Sequence, residues 1–353
     1  MIPVRWSFGC TRLAPSPTGA LHLGHARTFL VTWWLARQAG ARIIMRMEDL
    51  DAARAKPESV QQAYDDLRWL GMDWDAGPGR GGENEVADDS FVQSRRLGVY
   101  AAALLKLERA GLIYPCTCTR GQIAAVVLAS GGAPHETDAQ WRYPGICRDK
   151  PREQVVKEAA GTGGACWRLR VRAGVVEFRD QIMGPQAFDV AREAGDFPLT
   201  RFGPLAETLG DFDETGGGRG WGPPAYQLAC VVDDAAMGIE AVIRGDDLLS
   251  STPRQILLYR ALGAVPPRFG HVPLVIGPDG KRLAKRHGES RIAQYREQGV
   301  PAERIIGWVA WRSGQLDAPR EISATEVLAR FDLARLPRQR VVMTGEDLGF
   351  LTR

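Results

Sequence analysis

The sequence has no long hydrophobic run and very little lysine. None of its apolar stretches approaches the roughly 20 residues that a membrane-spanning helix needs, and residues 1–6 lack the apolar core of a signal peptide. We therefore expect a cytoplasmic protein with no membrane anchor. Only six of the 45 basic residues are lysine. The net charge of +3 is too small to identify a nucleic-acid-binding protein without a local basic patch.

Cysteine is also scarce. Six cysteines in 353 residues, three of them isolated, are too few for a disulfide framework. The apolar fraction of 44% and the charged fraction of 25% are ordinary for a globular protein. A chain of this length predicts two or three domains.

The clearest local signal is the segment 12–25, RLAPSPTGALHLGH. A strand over 8–13 is expected to stop at two prolines, turn at Gly19 and enter a helix near Gly24. His22 and His25 then lie one turn apart where a strand feeds a helix. That end of a helix carries unpaired N–H groups and a partial positive charge, so it suits a phosphate.

The two histidines leave three interpretations open. They can be half of a metal site, although no further ligands are spaced for one. They can be structural, or they can donate hydrogen bonds to a phosphate in a transition state, where preorganised donors contribute several kcal/mol. The tetrapeptide is a weak signal alone and a strong one after Ala-Pro-Ser-Pro-Thr-Gly and a strand.

A second buried strand is predicted over 41–47 and completes a βαβ unit. Such a unit predicts an α/β fold with a doubly wound parallel sheet. Glu48 lies just past this strand, at the end where ligands gather in open α/β sheets. It is a candidate contact, and the alternative is a solvated loop charge.

The rest of the chain predicts a sheet interrupted by an insertion. Helices are expected over 57–70, 94–110, 121–129, 252–262, 292–312 and 325–333. Strands are expected over 112–118, 197–202 and 239–243, antiparallel strands over 167–180, and a last strand over 272–276. Thr252 is the predicted N-cap of its helix. We divide the chain into a first half of the nucleotide-binding fold (1–111), an inserted mixed α+β region (112–195), a second half (196–290) and a helical C-terminal part (291–353).

A basic loop, 281–288 (KRLAKRHG), follows the last predicted strand. A run of charge is usually a solvated surface. Here it follows a Pro-Asp-Gly turn in a chain that already has a helix end suited to phosphate. A lysine is a compact charge on a flexible stem, so Lys285 is a candidate to close on a triphosphate.

The pair Cys116 and Cys118, followed by Tyr143 and Cys147, leaves two interpretations open. It can be a zinc site, although tyrosine is an unusual ligand and C-x-C is less diagnostic than C-x-x-C. The alternative is a set of buried apolar cysteines, which are common.

Together these motifs resemble class I aminoacyl-tRNA synthetases of the glutamyl type. His22-Leu23-Gly24-His25 is similar to the first signature of that class, and the segment 282–286 (RLAKR) is similar to the second. The opening from Arg12 and the segments 46–49 (RMED), 231–234 (VVDD) and 243–247 (IRGDD) are typical of the glutamyl branch. The resemblance covers roughly residues 10–310.

The resemblance implies two chemical steps and a set of residues for them. Glutamate attacks the α-phosphate of ATP, with magnesium, to form glutamyl-adenylate, and an RNA hydroxyl then accepts the glutamyl group. The implied glutamate site is Arg12, Ala14, Ser16, Glu48, Tyr226 and Arg244. The implied ATP site is His22, Gly24, His25, Arg282, Leu283 and Lys285, with His22, His25 and Lys285 catalytic.

Within that class, the chain resembles the short glutamyl-queuosine tRNA(Asp) synthetases. About 60 residues follow the second signature's helix, which we expect to be too few for an anticodon-binding domain. The short family attaches glutamate to queuosine at the wobble position of tRNA(Asp). Its zinc ligands correspond to Cys116, Cys118, Tyr143 and Cys147, so the resemblance implies one structural zinc ion. We expect a monomer.

Two other functions remain as alternatives. The chain can be a truncated glutamyl-tRNA synthetase that charges the 3′ end of its tRNA. It can also be a non-catalytic relative that binds an amino acid or RNA. The set Arg12, Glu48, Tyr226, Arg244 and Lys285 is intact, which argues against the non-catalytic alternative.

Overall fold

Parallel strands form the centre of the molecule. The computed structural model describes residues 6–51, 53–79, 89–129, 142–205, 210, 212, 218–280 and 291–352. Strand β1 (Cys10–Leu13) pairs in parallel with β2 (Arg42–Met45), and β7 (Ala241–Gly245) pairs in parallel with β8 (Arg268–Val272). Contacts from Cys10 O to Glu240 N at 3.0 Å and from Thr11 Oγ1 to Ala241 O at 2.7 Å join β1 to β7. The spatial order is therefore β2–β1–β7–β8.

Helices cover both faces of these strands. Successive strand residues point to opposite faces, and Ile43 lies in one apolar core while Ile44 lies in the other. The first core packs the strands against α1 (Leu23–Ala39) and α10 (Ala302–Arg312). The second core packs the opposite face of the strands against three helices, which lie at 97–109, 226–236 and 252–262. A sheet buried on both faces is the doubly wound arrangement that the sequence predicts.

The remaining helices have the following bounds. They are α2 (Pro57–Trp69), α3 (Leu97–Arg109), α4 (Arg120–Ala129), α5 (Arg152–Thr162), α6 (Val190–Glu193), α7 (Tyr226–Ala236), α8 (Thr252–Leu262), α9 (Ile292–Glu297), α11 (Ala324–Leu328) and α12 (Gly345–Leu351). Among the described helices, none is long and apolar enough to cross a membrane.

The middle of the chain carries antiparallel strands. Strand β3 (Ile113–Cys116) pairs with β4 (Cys166–Leu169), so Cys116 lies opposite Cys166. Strand β5 (Val176–Asp180) pairs with β6 (Gly184–Phe188). The sequence predicts antiparallel strands over 167–180, but β4 and β5 have different partners. The hairpin of β5 and β6 packs beside β8, and Gln181 N donates to Phe269 O at 2.8 Å.

Four local predictions are wrong. The helix expected over 292–312 is interrupted, because α9 ends at Glu297 and α10 begins at Ala302 after Gly299 and Pro301. The segment 197–202 forms isolated bridges instead of a strand, because Pro198 has no N–H to donate. The predicted last strand over 272–276 is broken after β8 and continues as β9 (Val275–Ile276), which pairs with the later β10 (Val341–Val342). The N-cap of α8 is Ser251, so Thr252 is its first helical residue.

Candidate active site and cysteine cluster

The corner between β1 and α1 holds the two histidines in one fixed arrangement. His22 is the N-cap of α1, and its Nδ1 accepts from Gly24 N at 3.1 Å. The Nδ1 atom of His25 accepts from His22 N at 3.3 Å, and the two rings stack with centroids 3.7 Å apart. Because both Nδ1 atoms accept, each neutral ring carries its proton on Nε2. The arrangement therefore supplies two imidazole N–H donors at a helix N-terminus.

Gly24 allows this cap to form. A Cβ atom at this position would lie 3.1 Å from Cε1 of His22. That contact would press on the imidazole that caps the helix. The glycine of the His-Leu-Gly-His segment is thus explained by close packing of the histidine ring and not by a positive φ angle.

The predicted glutamate-binding residues lie around the ends of β1, β2 and β7. Arg12 Nη1 donates to Ile243 O at 3.0 Å, which places it beside Arg244. Ser16 Oγ donates to Glu48 Oε2 at 3.5 Å, and Arg244 Nη1 lies 3.4 Å from the Tyr226 hydroxyl. The half-buried Ala14 directly follows β1. The structure therefore brings these side chains together from segments far apart in the chain.

A network of buried charges supports this pocket. Arg46 is fully buried and donates to Asp234 Oδ1 at 2.5 Å and to Glu48 Oε1 at 3.1 Å. Asp234 also lies 3.7 Å from Arg12 Nε. Burial alone would lower the pKa of Arg46, but the facing carboxylates of Asp234, Glu48 and Asp233 raise it well above its ordinary value. Arg46 is therefore charged and holds Glu48 in place.

Arg244 is held on several sides. Its Nη2 donates to Thr252 Oγ1 at 2.8 Å and to Leu248 O at 3.3 Å, and its Nε donates to His271 Nε2 at 3.1 Å. Sequence reasoning missed His271, Thr252 and Asp234 as residues of this site. His271 could have been recognised as the single ionisable residue in the otherwise apolar strand FGHV. The signal for Asp234 was its place in the VVDD motif.

The predicted second signature lies outside the described residues. Arg282, Leu283 and Lys285 therefore have no structural account, nor do residues 131–140 of the insertion. The chain on the far side of the basic loop is described: Ile292 N donates to Leu21 O at 2.9 Å, and Arg291 forms a bridge with His22. The segment that leaves the loop is thus attached to the histidine corner.

The inserted region contains a cluster of thiols. The Sγ atoms of Cys116, Cys118 and Cys147 lie within 4.8 Å of one another, and those of Cys118 and Cys147 are 3.5 Å apart. Tyr143 adds its hydroxyl, 3.2 Å from Cys116 Sγ and 3.9 Å from Cys118 Sγ. All six cysteines of the chain, each among the described residues, are free thiols.

The spacing of this cysteine cluster fits one tetrahedral metal ion. Zinc–sulfur bonds of about 2.3 Å in a tetrahedron place the sulfur atoms roughly 3.7 Å apart, close to the observed separations. Hydrogen bonds from Cys118, and then from Cys147, lower the pKa of Cys116 below its ordinary value, and the same contact raises the pKa of Cys118. Three thiols and one phenol hydroxyl converge here, so these residues can hold a thiophilic cation.

Comparison with known proteins first identifies the class of enzyme to which this chain belongs. The family model described as tRNA synthetases class I (E and Q), catalytic domain, matches residues 10–349. A solved glutamate-tRNA synthetase from Elizabethkingia anophelis superposes with a TM-score of 0.77 at 26% identity, over 97% of this chain and 69% of that one. The fold and the pocket therefore define the catalytic domain of a class I tRNA synthetase.

Two curated relatives are more similar in sequence. The glutamyl-Q tRNA(Asp) synthetase of Symbiobacterium thermophilum is 45% identical over 97% of this chain and 98% of its own length. The protein of the same name from Rhodopirellula baltica is 43% identical over the same shares. The chain belongs to the family of the glutamyl-Q tRNA(Asp) synthetases. The resemblance inferred from the motifs is thus confirmed.

Proposed function

We propose that this enzyme activates glutamate with ATP and transfers the glutamyl group to queuosine at the wobble position of tRNA(Asp). In the first step, a carboxylate oxygen of glutamate attacks the α-phosphorus and pyrophosphate leaves. In the second, a hydroxyl of the RNA attacks the carbonyl carbon, AMP leaves and the hydroxyl proton is released. The observation that carries the proposal is the grouping of Arg12, Glu48 and Arg244 beside the histidine corner in a chain of this family.

The pocket has the charges that glutamate requires. The guanidinium groups of Arg12 and Arg244 suit its carboxylates, because a hydrogen bond from a charged guanidinium N–H to a carboxylate is short and strong. Glu48 suits the α-ammonium group. Ser16 and Tyr226, each hydrogen-bonded to one of these charged groups, and Ala14 would complete the wall.

The ATP site is proposed between the histidine corner and the basic loop. The Nε2 protons of His22 and His25 would stabilise the negative charge that develops on the α-phosphate. Lys285 would bind the pyrophosphate, with Arg282 and Leu283 of the same loop and Gly24 lining the nucleotide. Magnesium would accompany ATP. The attachment of Ile292 to Leu21 supports this arrangement, because it ties one end of the loop to the histidine corner.

We also propose one structural zinc ion held by Cys116, Cys118, Tyr143 and Cys147. The ion would join β3 to the segment that carries Tyr143 and Cys147, and it would stabilise the inserted region. Because the proposed substrates are ATP, glutamate and tRNA, we place the reaction in the cytoplasm. A monomer contains every residue invoked here.

The proposal is tested by locating the glutamyl group on the RNA. The protein is incubated with ATP, labelled glutamate and tRNA(Asp) with or without queuosine, and the product is digested with nuclease and analysed by mass spectrometry. We expect label on the queuosine nucleotide alone. Glutamate on the 3′ end of an unmodified tRNA(Glu) transcript would favour the truncated synthetase. Absence of glutamate-dependent exchange between ATP and pyrophosphate would favour a non-catalytic protein.

A further inference from the structure

The geometry points to Asp180 and His271 as positioning residues for Arg244, which they hold through a single tautomer of the histidine. This inference deepens the proposed function and rests on it, because Arg244 is the proposed ligand of a glutamate carboxylate. Neither residue belongs to a motif of the sequence. Asp180 ends β5 in the inserted region, and His271 lies in β8.

The side chains of Asp180, His271 and Arg244 form a buried chain of hydrogen bonds that ends in the pocket. His271 Nδ1 lies 2.6 Å from Asp180 Oδ2, and His271 Nε2 accepts from Arg244 Nε at 3.1 Å. The side chains of Asp180 and His271 are inaccessible to solvent. Arg244 is 5% exposed. Water therefore does not compete for the hydrogen bonds that orient the guanidinium group.

Only one protonation state of His271 satisfies these contacts. The Nε atom of arginine has one hydrogen and no lone pair to share, so it always donates. His271 Nε2 must then accept, and the proton of the neutral ring lies on Nδ1, where it is donated to Asp180. Burial also lowers the pKa of His271, despite the opposing effect of Asp180. The ring is therefore neutral and its tautomer is set by the carboxylate.

Asp180 is itself fixed by the backbone. Its Oδ1 atom accepts from Ile182 N at 2.9 Å, from Met183 N at 2.7 Å and from His271 N at 3.2 Å. This leaves Oδ2 for the histidine ring. A carboxylate held by the turn after β5 thus transmits its position through the imidazole to the guanidinium.

The consequence is a guanidinium whose orientation is set before glutamate arrives. Nε is taken by His271, and Nη2 is taken by Thr252 and Leu248. The Nη1 group, beside the Tyr226 hydroxyl, is left to meet the ligand. Fixing a binding group in advance lowers the entropy lost when the ligand binds.

The test uses Asp180→Asn. The amide oxygen must replace Oδ1, because that position accepts from three backbone N–H groups, so the NH₂ group faces His271 Nδ1. Nδ1 then accepts and the proton moves to Nε2, where it opposes the Nε hydrogen of Arg244. We expect the KM for glutamate in ATP–pyrophosphate exchange to rise roughly 10- to 100-fold, with the KM for ATP unchanged.

Two controls separate positioning from folding. Asp189 is the N-cap of α6, and its Oδ1 accepts from Arg192 N at 3.1 Å, so Asp189→Asn should leave both KM values unchanged. Adding Asp180→Asn to His271→Gln should raise the KM for glutamate no further, because the relay is already cut. Unchanged glutamate KM in Asp180→Asn, or independent additive effects in the double variant, would overturn the inference.

A measurement independent of activity distinguishes this inference from the proposed function. Nitrogen NMR of His271 should show the proton on Nδ1 in the wild type and on Nε2 in Asp180→Asn. If the wild type shows no glutamate-dependent exchange, the proposed function fails while the NMR result still tests the relay. The same tautomer in both proteins would contradict the relay whatever the activity.

Discussion

The proposed glutamate pocket and the cysteine cluster are both largely buried groups of polar side chains, yet they are stabilised in different ways. In the pocket, the buried charges have partners within the protein: Arg46 meets the carboxylates of Asp234 and Glu48, and Asp180 accepts a hydrogen bond from the neutral ring of His271. In the cluster, thiols and a hydroxyl contact one another, and a charged group, the Arg168 guanidinium, lies 3.9 Å from the centroid of the Tyr143 ring. The first group is stabilised mainly by contacts within the protein, and the second is composed of the thiol donors that a thiophilic cation prefers.

This difference has consequences for folding and for ligand binding. A pocket whose charges are already paired keeps its shape without substrate, so little reorganisation is needed on binding. A cluster of thiols gains its stability when a cation replaces their protons. Substitutions in the two regions should therefore change different measured quantities. In the pocket they should change the free energy of unfolding and the KM for glutamate, and in the cluster they should change the metal content.

The largest effect is expected for Arg46→Met. This change leaves the buried carboxylates of Asp234 and Glu48 without their arginine, and loss of one partner of a buried pair costs about 3–5 kcal/mol. Urea unfolding should show a decrease of that size. Arg54→Met is the control, because Arg54 pairs with Asp51 on the surface and such pairs contribute about 0–1 kcal/mol. Equal stability of the two variants would mean that charge pairing does not hold the pocket.

The next effect is expected for Cys116→Ser. Removal of one of the three thiols should abolish zinc binding, so elemental analysis should find about one ion per chain in the wild type and none in the variant. The glutamate KM should stay unchanged, since the pocket is stabilised by its own charges. Cys10→Ser, a buried cysteine of β1, should retain the metal. Zinc retained at full occupancy in Cys116→Ser would remove the assignment.

A smaller effect is expected for Tyr143→Phe. The variant loses the hydroxyl that lies 3.2 Å from Cys116 Sγ and accepts from Cys147 N at 2.8 Å. Competition with a chelator should show zinc affinity lowered about 10- to 100-fold. Tyr114→Phe is matched to it, because that hydroxyl donates to Asp196 at 2.6 Å and takes no part in the cluster. If both variants hold zinc equally, Tyr143 is not a ligand.

The smallest effect concerns the carboxylate of Asp66, which is buried but, unlike the charged groups around Arg46, accepts no hydrogen bond. Asp66 in α2 is fully buried, its oxygens have no hydrogen-bond partner, and Arg296 Nη1 lies 3.5 Å away. Burial raises the pKa of Asp66 to about 6. The folded state therefore binds more protons than the unfolded state between about pH 4 and 6, and stability falls as pH rises through this range.

Asp66→Asn removes that dependence. Relative to the wild type, the variant should gain roughly 2 kcal/mol between pH 4 and 7.5, measured by urea unfolding at both values. Asp65→Asn, at the exposed neighbouring position, should change little. Curves for Asp66→Asn and wild type that remain parallel with pH would show that Asp66 ionises normally.

Local patterns predicted the elements well and the supporting contacts poorly. The strand β1, the helices α1, α2 and α3 and the histidine corner were recognisable because their signals lie within a few residues of one another. Arg12, Glu48 and Arg244 were recognisable because they belong to motifs of a family. His271 and Asp180 are 91 positions apart, and nothing in either neighbourhood indicates the other. Helix α5 was missed as well, because its few apolar residues give weak periodicity.

The sequence by itself determined the family and the class of fold, and it predicted which residues face the ligands. Those features depend on short motifs, and a short motif can be recognised in the sequence without knowing which residues contact it in the structure. The tertiary structure alone decided how each of those residues is held: Arg46 between Asp234 and Glu48, and Arg244 by His271. The physical reason is that a buried charge must find a partner in space, and the folding of the sheet, not distance along the chain, chooses which partner that is.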